Sequence, residues 1–479
     1  MRQRRRLSEH VLGFIAGLLA FQAQAETQER GGGVTAPPAR PNVLIFLADD
    51  LGYGDIGVHG CPDFATPNID SIAREGVRCT SGYVSAPRCA PSRCGLFTGR
   101  YQQRFGCELD APQGLPEEEL TLAERLKQAG YATGLVGKWH LGKGDEDHPN
   151  ARGFEEFFGF LGGLNAYLPE EEFFPKVLRD RELAREQGHL TEAFGREAVA
   201  FLERHGRQPF FLTVAFNAPH GPLQAPSELL ARFARIADPK RRQYAAAVSA
   251  MDDAIGAVLA KLRALELEEK TLVFFLSDNG GPLRRSRNGS SNTPLRGQKG
   301  GLWEGGIRVP FLARWKGVLP AGRVYDQPVS ALDIVPTVLE LAGVTAGGER
   351  ALDGVDILPH LAGRALGAPH EALFWRFSFP PRRKDEYKWA IRMGDAKLVH
   401  SPYRDETTGE PVGVDFTGFY DVARDPGETT DLAGARPEEA KLLAARWQEW
   451  NVGLPPPPGQ GTAPTGENAP DEDDEHDDD

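Results

Sequence analysis

Three short apolar runs, each closed by a polar cluster, constrain this chain most. Asn42 to Ala48, rich in Val, Leu and Ile, lies between Pro41 and Asp49-Asp50. Pro209 to Phe216 ends in Asn217-Ala218-Pro219-His220, and Thr271 to Leu276 ends in Ser277-Asp278-Asn279-Gly280. Runs of this length and form predict buried strands with polar residues at their carboxyl ends. Helical patterns lie between them. Thr121-Leu122-Ala123-Glu124 reads as a capping box opening a helix that Gly130 closes, and residues 192–205 and 241–266 show helical spacing with few breakers. Strands alternating with helices imply an α/β fold, with helices packed on a large, mostly parallel sheet. Ligands gather beyond the carboxyl ends of such strands, so the Asp-Asp, Pro-His and Asp-Asn ends are expected to converge on one site.

With 479 residues, 40% of them hydrophobic, the chain can bury a large core. A formal net charge of −13 argues against nucleic acid as the main partner. It leaves a small anionic substrate open, because local charge in a cleft decides that. The N-terminus reads as an export signal over residues 1–25. Arg2, Arg4, Arg5 and Arg6 precede the apolar run Val11 to Phe21, and Ala23-Gln24-Ala25 fits a cleavage site. No later segment is long and apolar enough to cross a bilayer. The mature chain is therefore expected outside the cytoplasm, periplasmic or extracellular, with no integral membrane segment. Residues 26–40 look like a linker and 41–369 like the main domain. Residues 370–452 look like a smaller unit: a strand, a turn at Gly394-Asp395 and a second strand within Trp389 to Val399, then a helix over 436–451. Residues 453–479 are Pro- and Gly-rich and then acidic, a composition that predicts disorder.

Asp49, Asp50, Asp278 and Asn279 form an all-oxygen set from two strand ends. Such donors suit a hard cation, Ca²⁺ or else Mg²⁺, better than zinc. Each pair alone most often makes a cap or a turn, but together these oxygens would repel one another without a cation. Five cysteines, Cys61, Cys79, Cys89, Cys94 and Cys107, fall in one stretch. The odd number leaves one thiol without an internal partner in an exported protein. The others can form up to two disulfides or remain thiols, and the spacing does not choose.

Cys89-Ala90-Pro91-Ser92-Arg93, followed by Leu96-Phe97-Thr98-Gly99-Arg100, resembles the signature of the type I sulfatases. Other segments agree in order. Pro41 to Gly52 and Ser277 to Gly280 resemble the family's metal strands. Gly137-Lys138-Trp139-His140-Leu141-Gly142 and Ala218-Pro219-His220 resemble its Lys/His motifs. Arg296-Gly297-Gln298-Lys299-Gly300 with Glu304-Gly305-Gly306 resembles its sulfate-contacting segment. The segment Arg152 to Gly159 looks most like bacterial relatives of arylsulfatase A and N-acetylgalactosamine-6-sulfatase.

The resemblance implies an alkaline-phosphatase-like sandwich with a smaller C-terminal antiparallel sheet and a helix. It implies hydrolysis of sulfate esters, aryl sulfates or more specifically a sulfated glycan, to alcohol and inorganic sulfate. It also implies a partner enzyme that oxidises Cys89 to Cα-formylglycine. The hydrate of that aldehyde has one hydroxyl to attack sulfur and a second whose deprotonation expels sulfate, so turnover becomes an internal elimination. Cys89 in this form joins Asp49, Asp50, Asp278 and Asn279 around the metal, which acidifies the attacking hydroxyl. Arg93 holds the hydrate or the metal carboxylates, Lys138 and Lys299 bind sulfate oxygens, His220 protonates the leaving alcohol and His140 takes the proton from the sulfated hydrate. Arg284 and Arg285, in a Gly/Ser/Asn-rich segment after Asn279, are expected to meet a second anionic group on the substrate. Two other readings remain at this level: a phosphomonoester or phosphonate hydrolase of the same fold, and a non-catalytic glycan-binding relative.

Overall fold

The structure, a computed structural model, describes residues 38–109, 114–168, 177–186, 188–283, 288–345, 350–377, 387–401 and 416–457. The expected signal segment, most of the expected linker, the acidic tail and Arg284 and Arg285 lie outside them.

The three apolar runs are strands, at Asn42–Ala48, Phe210–Ala215 and Thr271–Ser277, and every residue in them is buried. They occupy the middle of a ten-stranded sheet. Its order is Arg323–Tyr325, Val77–Cys79, Phe311–Arg314, Thr271–Ser277, Asn42–Ala48, Phe210–Ala215, Ala132–Lys138, Glu156–Phe160, Leu178–Arg179 and Glu182–Leu183. The five strands from Thr271–Ser277 to Glu156–Phe160 are mutually parallel. Antiparallel pairings begin on either side of them. The register pairs Ala48 with Ser277, Leu47 with Ala215 and Ala215 with Gly137. Asp49, Asp278, Phe216 and Lys138 therefore leave the sheet at one level on one edge.

Strand side chains alternate between faces. Val43, Ile45 and Leu47 pack with Leu96, Phe97, Leu126 and Val338, from helices Cys89–Thr98, Leu122–Gln128 and Ile334–Ala342. Leu44, Phe46 and Ala48 pack on the other face with Ile72, Phe194, Phe201 and Val248, from helices Pro67–Arg74, Leu190–His205 and Pro239–Ala264. Apolar area removed from both faces of the central strands, at about 25 cal/mol per Å², fixes where the strand ends sit. The expected capping box is present, with Thr121 Oγ1 accepting from the Glu124 N–H at 3.0 Å and Glu124 Oε2 from the Thr121 N–H at 2.7 Å.

After the main sheet comes a four-stranded antiparallel sheet, Leu373–Phe377, Lys388–Met393, Ala396–Ser401 and Phe416–Asp421. One face packs Trp375, Ala390, Val399 and Tyr420 against Tyr83, Trp303 and Ile307 of the main body. The other carries helix Pro437–Val452 through Leu443 and Trp447. This is the sandwich with a small C-terminal sheet that the sequence predicts.

Candidate active site

Cys89 is the first residue of helix Cys89–Thr98, which points its amino end at the strand ends. Unpaired N–H groups and the helix dipole make that end favourable for an anion. Cys89 Sγ lies 3.6 Å from Asp49 Oδ1, and both residues are buried. Burial pushes the thiol well up, although Lys138 and Lys299 pull the other way. Cys94, about 140° further round the helix at 100° per residue, pairs instead with Cys107. Cys61, Cys79 and Cys89 are free thiols.

Arg93, one turn along, crosses to the strand ends. Its Nε and Nη2 donate to Asp278 Oδ2 at 2.9 and 2.8 Å, and its Nη1 donates to the Lys138 carbonyl at 2.8 Å. Lys138 Nζ donates to Asp49 Oδ2 at 2.8 Å. Lys299 Nζ lies 3.0 Å from Asp50 Oδ1 and 3.3 Å from His220 Nε2. His220 Nε2 is also 3.6 Å from Asp50 Oδ2, while its Nδ1 sits 2.6 Å from the Gly221 carbonyl. That contact fixes the ring with Nδ1–H donating and Nε2 facing the site.

Three carboxylates and three cations thus interlock with almost no solvent. Burial disfavours charge on Asp49, but Lys138, His220 and Arg93 outweigh it and hold its carboxyl well below the usual range. Asp50 is lowered in the same way, burial being overcome by Lys299 and His220. Asp278 is pushed up to about 6 by burial and by Asp49, against the pull of Arg93. His140 is held well below the usual histidine range by burial, with Lys138 and Arg93 adding to it, and its buried Nδ1 has no hydrogen-bond partner. Both features favour the neutral imidazole.

The donor set fits a divalent cation. Asp49, Asp50, Cys89 and His220 offer ligand atoms within 4.8 Å of one another. The Asp50 N–H reaches Asp278 Oδ1 at 3.3 Å, which brings the second strand end alongside. Asn279 turns its amide N–H groups to Asp50 Oδ1 at 2.6 Å and to the Gly280 carbonyl at 2.9 Å. Its Oδ1 is left buried without a donor, an orphaned acceptor of the kind a cation satisfies.

The structure therefore brings Asp49, Asp50, Cys89, Arg93, Lys138, His220, Asp278, Asn279 and Lys299 into one contact network. His140, two residues after Lys138, follows the same strand end. Two further residues support this network; Tyr167 carries no sequence signal, whereas Ser277 opens the motif Ser277 to Gly280. The Tyr167 hydroxyl lies within hydrogen-bond distance of the Asn217 and His220 carbonyls, at 3.0 and 2.8 Å. Ser277 Oγ bridges the Leu51 N–H and the Asn279 carbonyl at 3.0 and 2.8 Å.

The chain is similar to known proteins along most of its length. The sequence model of the Sulfatase family matches residues 41–344, and that of the N-sulphoglucosamine sulphohydrolase C-terminal region matches residues 298–449. The N-acetylgalactosamine-6-sulfatase of Canis lupus familiaris is 37% identical over 461 residues, covering 86% of this chain and 85% of that protein. The steryl-sulfatase of Mus musculus is 32% identical, covering 85% and 81%. The solved structure of Ps i-CgsB in complex with k-i-k-neocarrahexaose superposes with a TM-score of 0.80 at 33% identity, covering 88% of this chain and 94% of that one. A family model spanning more than half of the chain, with relatives more than 30% identical along most of it, places the chain in the type I sulfatase family as a sulfuric ester hydrolase.

Proposed function

We propose that the protein is an exported glycan sulfatase whose Cys89 is converted to Cα-formylglycine by a dedicated maturation enzyme. One observation carries this reading. Cys89 stands at a helix amino end 3.6 Å from Asp49, inside a cluster where Lys138 and Lys299 each touch a different metal carboxylate. The sulfate ester would lie between the two lysines, which stabilise charge on its oxygens as the S–O bond breaks. His220, ring fixed by Gly221, offers Nε2 to the leaving oxygen. His140, neutral, serves as the base for the second proton. Arg93 orients Asp278. Asp49, Asp50, Asp278 and Asn279 would hold Ca²⁺, with residue 89 completing the set. Bound there, the ion would neutralise sulfate oxygens and acidify the nucleophilic hydroxyl. Arg284 and Arg285 would grip a second anionic group of the substrate.

Support for a glycan comes from the relatives, which include N-acetylgalactosamine-6-sulfatases and a protein solved with a neocarrahexaose. The test is a panel of nitrophenyl sulfate, nitrophenyl phosphate and sulfated galactosamine and galactose fragments, with and without exhaustive chelation. Sulfate should be released from the sulfate esters alone, and both chelation and Cys89→Ala should abolish it. Comparable phosphate release would favour the phosphatase reading, and activity in chelated enzyme would remove the calcium assignment.

A further inference from the structure

A buried charge cluster outside the reacting groups holds the turn that carries Lys299. Glu304, Lys397 and Glu428 are all sequestered from solvent. Lys397 belongs to the third strand of the C-terminal sheet, and Glu428 to the loop after the fourth. Lys397 Nζ lies 3.0 Å from Glu304 Oε1 and 2.8 Å from Glu428 Oε1. Glu428 Oε2 accepts the Glu304 backbone N–H at 2.7 Å, and the Glu428 carbonyl accepts from Arg296 Nη1 at 3.0 Å. Tyr83 and Arg308 donate to Glu304 Oε2 at 2.6 and 3.1 Å. Glu428 adopts φ 48°, left-handed backbone that a glutamate rarely takes without compensation. Burying three ionisable groups is expensive, and an apolar set of equal volume is often no less stable. Their geometry gives them a use.

Glu304 opens the short helix Glu304–Ile307, and the next two glycines touch both halves of the site. The Gly305 N–H donates to the Arg296 carbonyl at 2.6 Å, at the base of the loop that bears Lys299. The Gly306 carbonyl accepts the Gly280 N–H at 3.0 Å, directly after Asn279. The approach is so close that a Cβ on Gly280 would meet the Gly305 oxygen at 1.8 Å. The Lys299 N–H in turn reaches the Gly281 carbonyl at 3.3 Å. A second tie from the C-terminal sheet reaches the same loop, where Lys388 Nζ donates to the Gly300 carbonyl at 3.1 Å.

We infer that Glu428 and Lys397 are positioning residues, through which the C-terminal sheet sets Lys299 and Asn279 in place by way of the Glu304 turn. The inference rests on the reading of Lys299 as a sulfate-binding group. It makes the C-terminal sheet part of the catalytic apparatus although neither residue touches substrate. The experiment is a double-mutant cycle with Glu428→Ala and Lys299→Ala in the full chain. It reads kcat and KM on nitrophenyl sulfate, inhibition by inorganic sulfate, and Tm. Glu428→Ala should lower kcat/KM at least about tenfold and weaken sulfate inhibition, and should add less than about twofold to the loss in the Lys299→Ala background. Losses that multiply fully in both backgrounds, or no loss at all in folded Glu428→Ala, would overturn it. If Glu428→Ala does not fold, the near-isosteric Glu428→Gln goes through the same cycle with the same criteria. Full activity and sulfate inhibition in Lys299→Ala would instead overturn the reading of Lys299, and this inference with it.

Discussion

Asp50 and His140 both sit on left-handed backbone, at φ 64° and 60°. Aspartate and histidine tolerate that region better than most residues, and single strained positions gather where the surrounding structure holds a functional side chain in place. Each lies two residues past its strand, which ends at Ala48 or at Lys138. His220 differs in being fixed by a side-chain bond to Gly221. If its Nε2 serves the leaving group, His220→Ala should cost about a hundredfold on a sugar sulfate and far less on nitrophenyl sulfate, whose phenolate leaves without a proton. Rate constants on both substrates decide, and equal losses would remove His220 from that role. A third histidine predicts a pH effect on stability. His59 stacks on Tyr53 with ring centroids 4.1 Å apart, and its Nδ1 donates to the Tyr53 carbonyl at 2.8 Å. Burial lowers it to about 4, against the Tyr53 hydrogen bond. Because the folded value lies below the unfolded one near 6.5, the unfolded chain binds the extra proton. The contribution is complete above about pH 6.5 and is lost, at about 1.4 kcal/mol per pH unit, as pH falls towards 4. Subtracting the Tm-against-pH curve of His59→Gln from that of the native protein should isolate this slope. Parallel curves would show that His59 does not produce it.

The strands and helices that build the site were unequally legible. Asn42–Ala48, Phe210–Ala215 and Thr271–Ser277 stand out because burial on both faces demands unbroken apolar runs. The strand Ala132–Lys138, ATGLVGK, does not, although it delivers Lys138. Its glycines break the pattern for a packing reason: Gly137 has φ 111°, and a Cβ there would meet the Ala215 oxygen at 1.8 Å. Helix Cys89–Thr98 is equally silent to periodicity, since all ten of its residues are buried and it has no polar face. The Cys-x-Pro-Ser-Arg motif marks the chemistry of this segment but does not predict its helix. The capping box at Thr121 was readable because its two hydrogen bonds are local. Thr121→Ala removes the side-chain acceptor for the Glu124 N–H and the bond to the Arg152 carbonyl at 2.9 Å. It should cost about 1 kcal/mol, seen as a lower denaturation midpoint with unchanged kcat. An unchanged midpoint would mean that solvent or a neighbour replaces the cap.

Across the whole molecule, the sheet brings together residues nearly 250 positions apart, Asp50 and Lys299 at 3.0 Å among them. Their residue types and order are in the sequence, but their contacts follow from strand order, which local pattern does not encode. The cluster of Glu304, Lys397 and Glu428 lay beyond sequence reading for the same reason: each residue alone looks like an ordinary surface charge. What unites these contacts in one account is the chemistry at position 89. The most direct measurement is the mass of the Cys89 peptide from protein produced with and without a formylglycine-generating enzyme, set against sulfate release by the same samples. Conversion of thiol to aldehyde lightens the peptide by roughly 18 Da. Apparent kcat should rise in proportion to the lighter fraction and fall to background where that fraction is nil. Full turnover by protein whose Cys89 peptide is entirely thiol, or no turnover by fully converted, calcium-loaded protein, would contradict it.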